Sequence, residues 1–432
     1  MRDQHQIPVI VGGLRTPFVR SFAQYSRLSN QELLTFVVNA IVKKYHLEKK
    51  ALGDSAFGGV MAYPGDWNLS REVILGTELD PSTPGYNVQR ACGTSLETVI
   101  QMAAKISMGL IDSAIAGGCD TNSDVPIVLS KSFSYKLLDL RKAKTFFEKL
   151  KVLLSFQLKD FKPLFPAVME PRTGLSMGQH TEKMVKEWGI TREAQDELAF
   201  ESHQKGAKAY AEGFYNDLVV EYKGVKQDTI LRADTTAAKL AKLKPAFDFS
   251  GKGTLTAGNS TPLTDGAAAV LITSEAYAKQ NSLPVLAKVV DAQVAAVDFV
   301  HEEGLLMGPT LAVARLCKRN QLSLQDFDFY EIHEAFAGQV LCNLKAWESE
   351  EYCRSHLGLD KALGAIDRTK MNVKGGSLAM GHPFGATGAR IVASLAKILA
   401  TEAQKKGRPQ RGLISICTAG GMGVAAILES GI

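Results

Sequence analysis

The sequence predicts an α/β protein built from two related halves. Strand-like and helix-like apolar spacings alternate along the chain. One order of elements, a glycine-rich bend, then a helix, then a buried strand, occurs near residue 92 and again near residue 382. Both copies open alike, on Asn87-Val88 and on Asn372-Val373, which marks an internal duplication. Two such halves packed about a pseudo-twofold axis would carry both sets of bends to one cleft.

In chain order, Ile7 to Val11 reads as a strand, and the run Asn87-Val88-Gln89-Arg90 ends in the bend Ala91-Cys92-Gly93. Leu96, Val99, Ile100, Ala103 and Ile106 then recur at helical spacing, and Ala114 to Gly118 reads as a buried strand. From about Val125 to Gly251 the composition shifts to Lys and Glu, with helical spacing over Glu193 to Tyr210, as in an insertion lying over the cleft. The second copy runs from the bend Gly381-His382-Pro383-Phe384-Gly385 through Ile391, Leu395, Ile398 and Leu399 to the strand Leu413 to Ile416. It ends at Cys417-Thr418-Ala419-Gly420-Gly421-Met422-Gly423.

Composition narrows the class. A formal charge of +5 spread over 432 residues argues against a nucleic-acid protein. Six cysteines with no Cys-x-x-Cys pair offer neither a zinc framework nor a disulfide framework, so no metal is expected and a reducing compartment is. The polar start, Met1 to Gln6, does not read as a secretion signal, and no apolar run is long enough to span a bilayer. A soluble, cytoplasmic enzyme is the expectation.

Four segments hold the chemistry. Cys92 lies just ahead of a helix beginning near Thr94, where the helix dipole favours a thiolate and a nearby imidazole, His382, could take the proton. Judged from its own turn, burial as a small apolar side chain is the commoner fate of such a cysteine. Cys417 shifts that balance, because a second thiol ahead of a Gly-Gly-x-Gly bend is an odd choice for packing, and the bend can turn backbone N–H groups toward a developing oxyanion. His333, in His333-Glu334-Ala335-Phe336, is by itself more often a capping or core-edge residue. A nicotinamide dehydrogenase is poorly supported, since Ile10-Val11-Gly12-Gly13 is not followed by the dinucleotide-binding fingerprint.

Taken with Gly253-Thr254-Leu255-Thr256-Ala257-Gly258-Asn259-Ser260-Thr261 and Asp265-Gly266-Ala267-Ala268-Ala269, these segments resemble the thiolase family along nearly the whole chain. The resemblance implies the thiolase fold, two duplicated βαβαβαββ halves in five layers, α-β-α-β-α, with an inserted helical loop domain. Residues 1–125 plus 252–276 would form the half carrying the nucleophile, 126–251 the loop domain, and 277–432 the half carrying His333, His382 and Cys417. His-Glu-Ala-Phe in place of Asn-Glu-Ala-Phe, together with the lysine-rich insertion, resembles the β subunits of trifunctional β-oxidation complexes. The implied activity is that of a 3-ketoacyl-CoA thiolase, an acetyl-CoA C-acyltransferase.

By the same resemblance Cys92 is the acylated nucleophile, His382 its activator and Cys417 the general acid and base. His333 helps organise one oxyanion site, and the backbone N–H groups of Cys92 and Ala419 form the other. Arg232, Ala257 and Thr261 would contact coenzyme A, a substrate here, so that no separate cofactor is implied. Met307 would line the acyl side, although a core methionine is an equal reading. Ser176 stands where some short-chain thiolases carry histidine, which weakens a preference for acetoacetyl-CoA.

Implied partners are acyl-CoA, coenzyme A, further copies of the chain as a homodimer or homotetramer, and a hydratase/dehydrogenase α subunit. Residues 131–162 interleave nine Lys or Arg with Phe146, Phe147, Leu150, Val152, Leu153, Leu154 and Phe156, a pattern that suits an anionic lipid surface, a docking partner protein, or a lid helix buried on its own domain. The competing activities are acetoacetyl-CoA formation by acetyl transfer, a decarboxylating ketoacyl synthase, which has no need of Cys417, and a non-catalytic acyl-CoA-binding scaffold.

Overall fold

A computed structural model describes residues 6–166 and 168–431. Ten strands, β1 (Pro8–Arg15), β2 (Val19–Arg20), β3 (Asp54–Phe57), β4 (Tyr86–Asn87), β5 (Ser113–Asp120), β6 (Thr264–Ser274), β7 (Ala287–Ala296), β8 (Phe329–Ile332), β9 (Arg411–Thr418) and β10 (Met422–Glu429), lie in the order β4-β3-β5-β6-β1-β7-β10-β9-β8, with β2 beside β6. The first half pairs parallel at β4-β3-β5 and antiparallel from β5 through β6 to β1. The second repeats this outward from β7: β10 and β9 antiparallel, β8 parallel, and a parallel bridge from Tyr330 to Met371 where the first half has β4. The duplicated dipeptides thus fall at equivalent places, with Asn87 in β4 and Asn372 beside the bridging Met371. The halves join through a short β1–β7 pairing, Val9 with Lys288 and Ile10 with Ala287.

Three hydrophobic cores separate the layers. Helix Asn30–Lys44 covers the outer face of the first half and Gly308–Asn320 that of the second. Between the half-sheets, helices Thr94–Ser107 and Thr387–Lys406 pack on each other and on strands, with Leu96, Val99, Met102 and Ile106 facing Ile391, Leu395 and Leu399. With both faces covered, β1, β5 and β6 are buried at every residue, which accounts for their near-continuous apolar runs. The two central helices cross at Gly388, where an added Cβ would stand 2.2 Å from the backbone nitrogen of Leu96.

The stretch between the halves supplies helices Met177–Glu187 and Arg192–Ala211, which pack on Ala337–Glu348; the second also packs on Ser377–Met380 beside the cleft. Its link to β1 is a buried fork in which Arg15 Nη1 and Nη2 donate to Asp228 at 2.5 and 2.7 Å. Helices Lys131–Lys142 and Phe146–Leu154 differ in kind, since neither buries a single residue. Their hairpin is tied by Asp160, which accepts from Lys136 Nζ at 2.6 Å and Ser132 Oγ at 2.8 Å, and by contacts among Phe133, Phe156 and Phe161. Phe146, Phe147 and Leu154 remain 73, 80 and 78% exposed. The lid that buries its own apolar face is therefore not what this hairpin forms. Among the described residues no helix is long and apolar enough to cross a membrane.

Candidate active site

The bend before helix Thr94–Ser107 is held in an uncommon shape. Ala91 has φ +43°, and Thr94 Oγ1 accepts from the Arg90 N–H at 2.9 Å while donating to the Ala91 carbonyl at 2.7 Å. A β-carbon at Gly93 would meet Val424 Cγ2 at 2.8 Å and Thr418 Cγ2 at 3.0 Å, so glycine lets this bend close on the ends of β9 and β10. That closure brings Cys92 to Cys417. Backbone N–H groups of Ala419 and of Cys92 itself point at the Cys92 sulfur.

The imidazoles arrive from the second half. His382 follows Gly381, whose φ of +99° turns the chain; its N–H donates to Thr264 Oγ1 at 2.9 Å and its Nδ1 pairs with Thr387 Oγ1 at 2.6 Å. His333 leaves the end of β8 with its N–H on the Ser415 carbonyl at 2.8 Å and its Nδ1 on Ser377 Oγ at 2.8 Å. The rings lie 4.1 Å apart between centroids, and both Nε2 atoms are buried without a partner. One nitrogen from each ring and the Cys92 sulfur lie within 4.8 Å of one another.

Burial governs the charge state. It pushes the Cys92 thiol up to about 12, with the Asp120 carboxylate adding to the effect and the two N–H groups opposing it. Cys417 is driven well up by burial and by the neighbouring Cys92. Burial and then Arg390 bring His382 down to about 3, and His333 is held well below the usual range by burial, His382 and Arg390. The resting site is therefore two thiols and two neutral imidazoles. Arg390 stands behind them, donating to Ser377 Oγ at 2.7 Å and facing Glu331 at 3.7 Å.

Two cavities bear on the expected site residues, and the first opens on Cys92 itself. One of about 320 Å³ is lined by Cys92, Ala419, Met61, Met169, Phe384 and Met422 among others. The other, of about 280 Å³, has Arg232 and Ala257 in its wall with Arg20, Lys239 and Ser260. The Thr261 hydroxyl donates to the Ala335 carbonyl at 3.1 Å, and its neighbour Ser260 lies in the lining of the second cavity. Met307 lies outside the lining of the Cys92 cavity, in keeping with the core-methionine reading. It is fully buried ahead of helix Gly308–Asn320, and its sulfur accepts from Asn343 Nδ2 at 3.4 Å. Ser176 caps helix Met177–Glu187 by accepting from the Gln179 N–H.

Sequence reasoning missed Glu170. It lies in the wall of the Cys92 cavity, is 6% exposed, and accepts from the Gly420 N–H at 2.7 Å, next to the Ala419 N–H that faces the sulfur. Nothing in the spacing around Pro171 marked it. Ser377 and Thr387, which hold the two rings, sit five residues before and after His382, and the sequence reading named neither.

The match to known proteins covers both halves. Residues 8–276 match the family description "Thiolase, N-terminal domain" and residues 283–430 match "Thiolase, C-terminal domain". The chain belongs to the thiolase family. A 3-ketoacyl-CoA thiolase of Yersinia pestis (strain Pestoides F) is 41% identical to this thiolase over 427 residues, covering 98% of this chain and 96% of that one. A Bacillus anthracis acetyl-CoA acetyltransferase superposes with a TM-score of 0.81 at 30% identity, over 99% of this chain and 100% of that one. Human mitochondrial 3-ketoacyl-CoA thiolase does so with a TM-score of 0.78 at 27% identity, over 98 and 99%. The five-layered thiolase fold anticipated from the motifs is the fold this chain adopts.

Proposed function

We propose that this thiolase is an acyltransferase that cleaves 3-ketoacyl-CoA with coenzyme A into acetyl-CoA and a shortened acyl-CoA, in fatty-acid β-oxidation, through an acyl-Cys92 intermediate. The observation that carries the reading is the single cluster formed by the Cys92 sulfur, the unpaired imidazole nitrogens of His382 and His333, and the N–H groups of Cys92 and Ala419. Full-length likeness to a curated 3-ketoacyl-CoA thiolase supports it over acetoacetyl-CoA formation.

The chemistry follows from a site that is neutral at rest. Cys92 Sγ attacks the 3-keto carbonyl as its proton passes to His382 Nε2, so charge develops only as the bond forms. The Cys92 and Ala419 N–H groups face the oxyanion of this step, and the imidazoles of His382 and His333 face the thioester oxygen on which the enolate charge collects. Collapse of the oxyanion breaks the C2–C3 bond, leaving acyl-Cys92 and the enolate of acetyl-CoA, which Cys417 protonates at C2. The Cys417 thiolate then takes the proton of incoming coenzyme A, whose sulfur attacks the acyl-Cys92 carbonyl. The Cys92 and Ala419 N–H groups hold that second oxyanion. Cys92 leaves as thiolate and recovers its proton from His382, which closes the cycle.

The methionine-rich cavity suits the acyl chain, because unbranched thioether side chains repack around different lengths. The cavity walled by Arg20, Arg232, Lys239 and Ala257 suits the coenzyme A nucleotide. Residues 1–125 with 252–276, 126–251 and 277–432 form the functional units of this reading. Self-association into a dimer or tetramer, docking of a hydratase/dehydrogenase subunit, and a cytoplasmic site of action belong to it as well. The exposed, lysine-rich hairpin at 131–162 is assigned to an anionic membrane surface, where long-chain substrates partition.

Intact-protein mass spectrometry after incubation with acetyl-CoA tests the intermediate. An acetyl adduct that Cys92→Ala abolishes is expected, together with coenzyme A-dependent loss of 3-ketoacyl-CoA absorbance; an adduct that survives in Cys92→Ala refutes the assignment.

A further inference from the structure

We infer that Cys92, His333 and His382 also form a binding site for a thiophilic divalent cation, zinc above all, which blocks the resting enzyme reversibly. The three ligand atoms already converge within 4.8 Å, whereas tetrahedral zinc with these donors needs separations of about 3.5 Å. The remaining approach is about 1 Å, within reach of rotation at Cys92.

Both imidazoles are oriented for the task. Ser377 and Thr387 hold the Nδ1 atoms, which leaves each Nε2 buried and without a hydrogen-bond partner. A hydrogen-bonded second ring nitrogen is the usual support of a metal-binding histidine. The Cys/His/His donor set favours zinc, copper or cobalt over magnesium and calcium, which take oxygen ligands. The cavity beside Cys92 leaves the fourth position open to a solvent ligand. The nearby Arg390 charge opposes a cation, but Glu331 faces that charge at 3.7 Å. Coordination exchanges the Cys92 S–H proton for the metal and releases it to solvent, so the cation arrives with its own charge reduced by a thiolate. No electron moves.

Binding stands on geometry alone; the inhibition it causes rests on the proposed role of Cys92. The test is titration of the reduced, chelator-treated full chain with Co²⁺, read by absorbance. One Co²⁺ per chain should bind with a thiolate-to-metal charge-transfer band, and Zn²⁺ should displace it. Cys92→Ala should abolish the band and His333→Asn should weaken binding by about 10-fold or more. Absence of the band in the unmodified protein, or its persistence in Cys92→Ala, overturns the proposal, as does unchanged affinity in folded His333→Asn. If cobalt binds as described while acetyl-CoA leaves no adduct, the metal site stands and the thiolase reading falls.

Discussion

Replacing Gly388 by alanine tests whether the crossing of the two central helices sets the distance between nucleophile and base. The added Cβ would stand 2.2 Å from Leu96 N, 2.8 Å from Leu96 Cβ and 2.9 Å from Leu96 Cα, with backbone among the atoms it meets. Ordinary contacts begin at about 3.5 Å, so the helices must separate by roughly 1 Å. Ser95 Oγ, which accepts from the Ala389 N–H at 2.8 Å, would lose part of that bond. Cys92 sits at the entrance of one helix, and Thr387, which holds the His382 ring, opens the other, so the separation reaches the site directly. Overpacking should cost about 1–3 kcal/mol and lower Tm by several degrees. A shift of about 1 Å between reacting groups should lower kcat by about 100-fold. Thermal unfolding and steady-state thiolysis of the same preparation provide the comparison. A lowered Tm with unchanged kcat would show that the crossing serves packing alone.

Three further outcomes follow from the site and the hairpin. A Cys92 thiol pushed up to about 12 stays protonated below that pH, so its thiolate fraction rises about tenfold per pH unit; labelling by iodoacetamide, followed by mass spectrometry, should climb through pH 6 to 9 without a plateau, and a plateau below about pH 7 would reveal a preformed thiolate. Glu170→Ala removes the acceptor for the Gly420 N–H beside Ala419 and should lower kcat by about 10- to 100-fold, with Glu170→Gln retaining most activity; equal effects of the two would sink the positioning role. Anionic vesicles should co-sediment the protein at low salt and release it at high salt, and replacing Phe147 and Leu154 by serine should abolish the binding; wild-type binding by that variant would remove the hairpin from the interaction.

Most of the secondary elements near the site were legible because their signals are local. The helix inferred from Leu96 to Ile106 spans Thr94–Ser107, that inferred from Ile391 to Leu399 spans Thr387–Lys406, and the periodicity from Glu193 to Tyr210 spans Arg192–Ala211. The side-chain partners of Thr261 and Met307 were not legible. A motif position tells which residue type is present, while the direction of its side chain depends on a neighbour such as the Ala335 carbonyl or Asn343.

The amino-acid sequence by itself determined the duplication, the α/β class and the four motif segments that mark a thiolase, because periodicity and bend chemistry act between residues close along the chain. Only the tertiary structure decided that both imidazoles are buried and that burial raises the Cys92 thiol and lowers the two rings, that Glu170 braces the Ala419 turn, and that the basic hairpin leaves its apolar face uncovered. Those properties depend on which distant surfaces exclude water from one another. Ser95 and Ala389, 294 positions apart yet hydrogen-bonded at the helix crossing, show how far along the chain the deciding contacts lie.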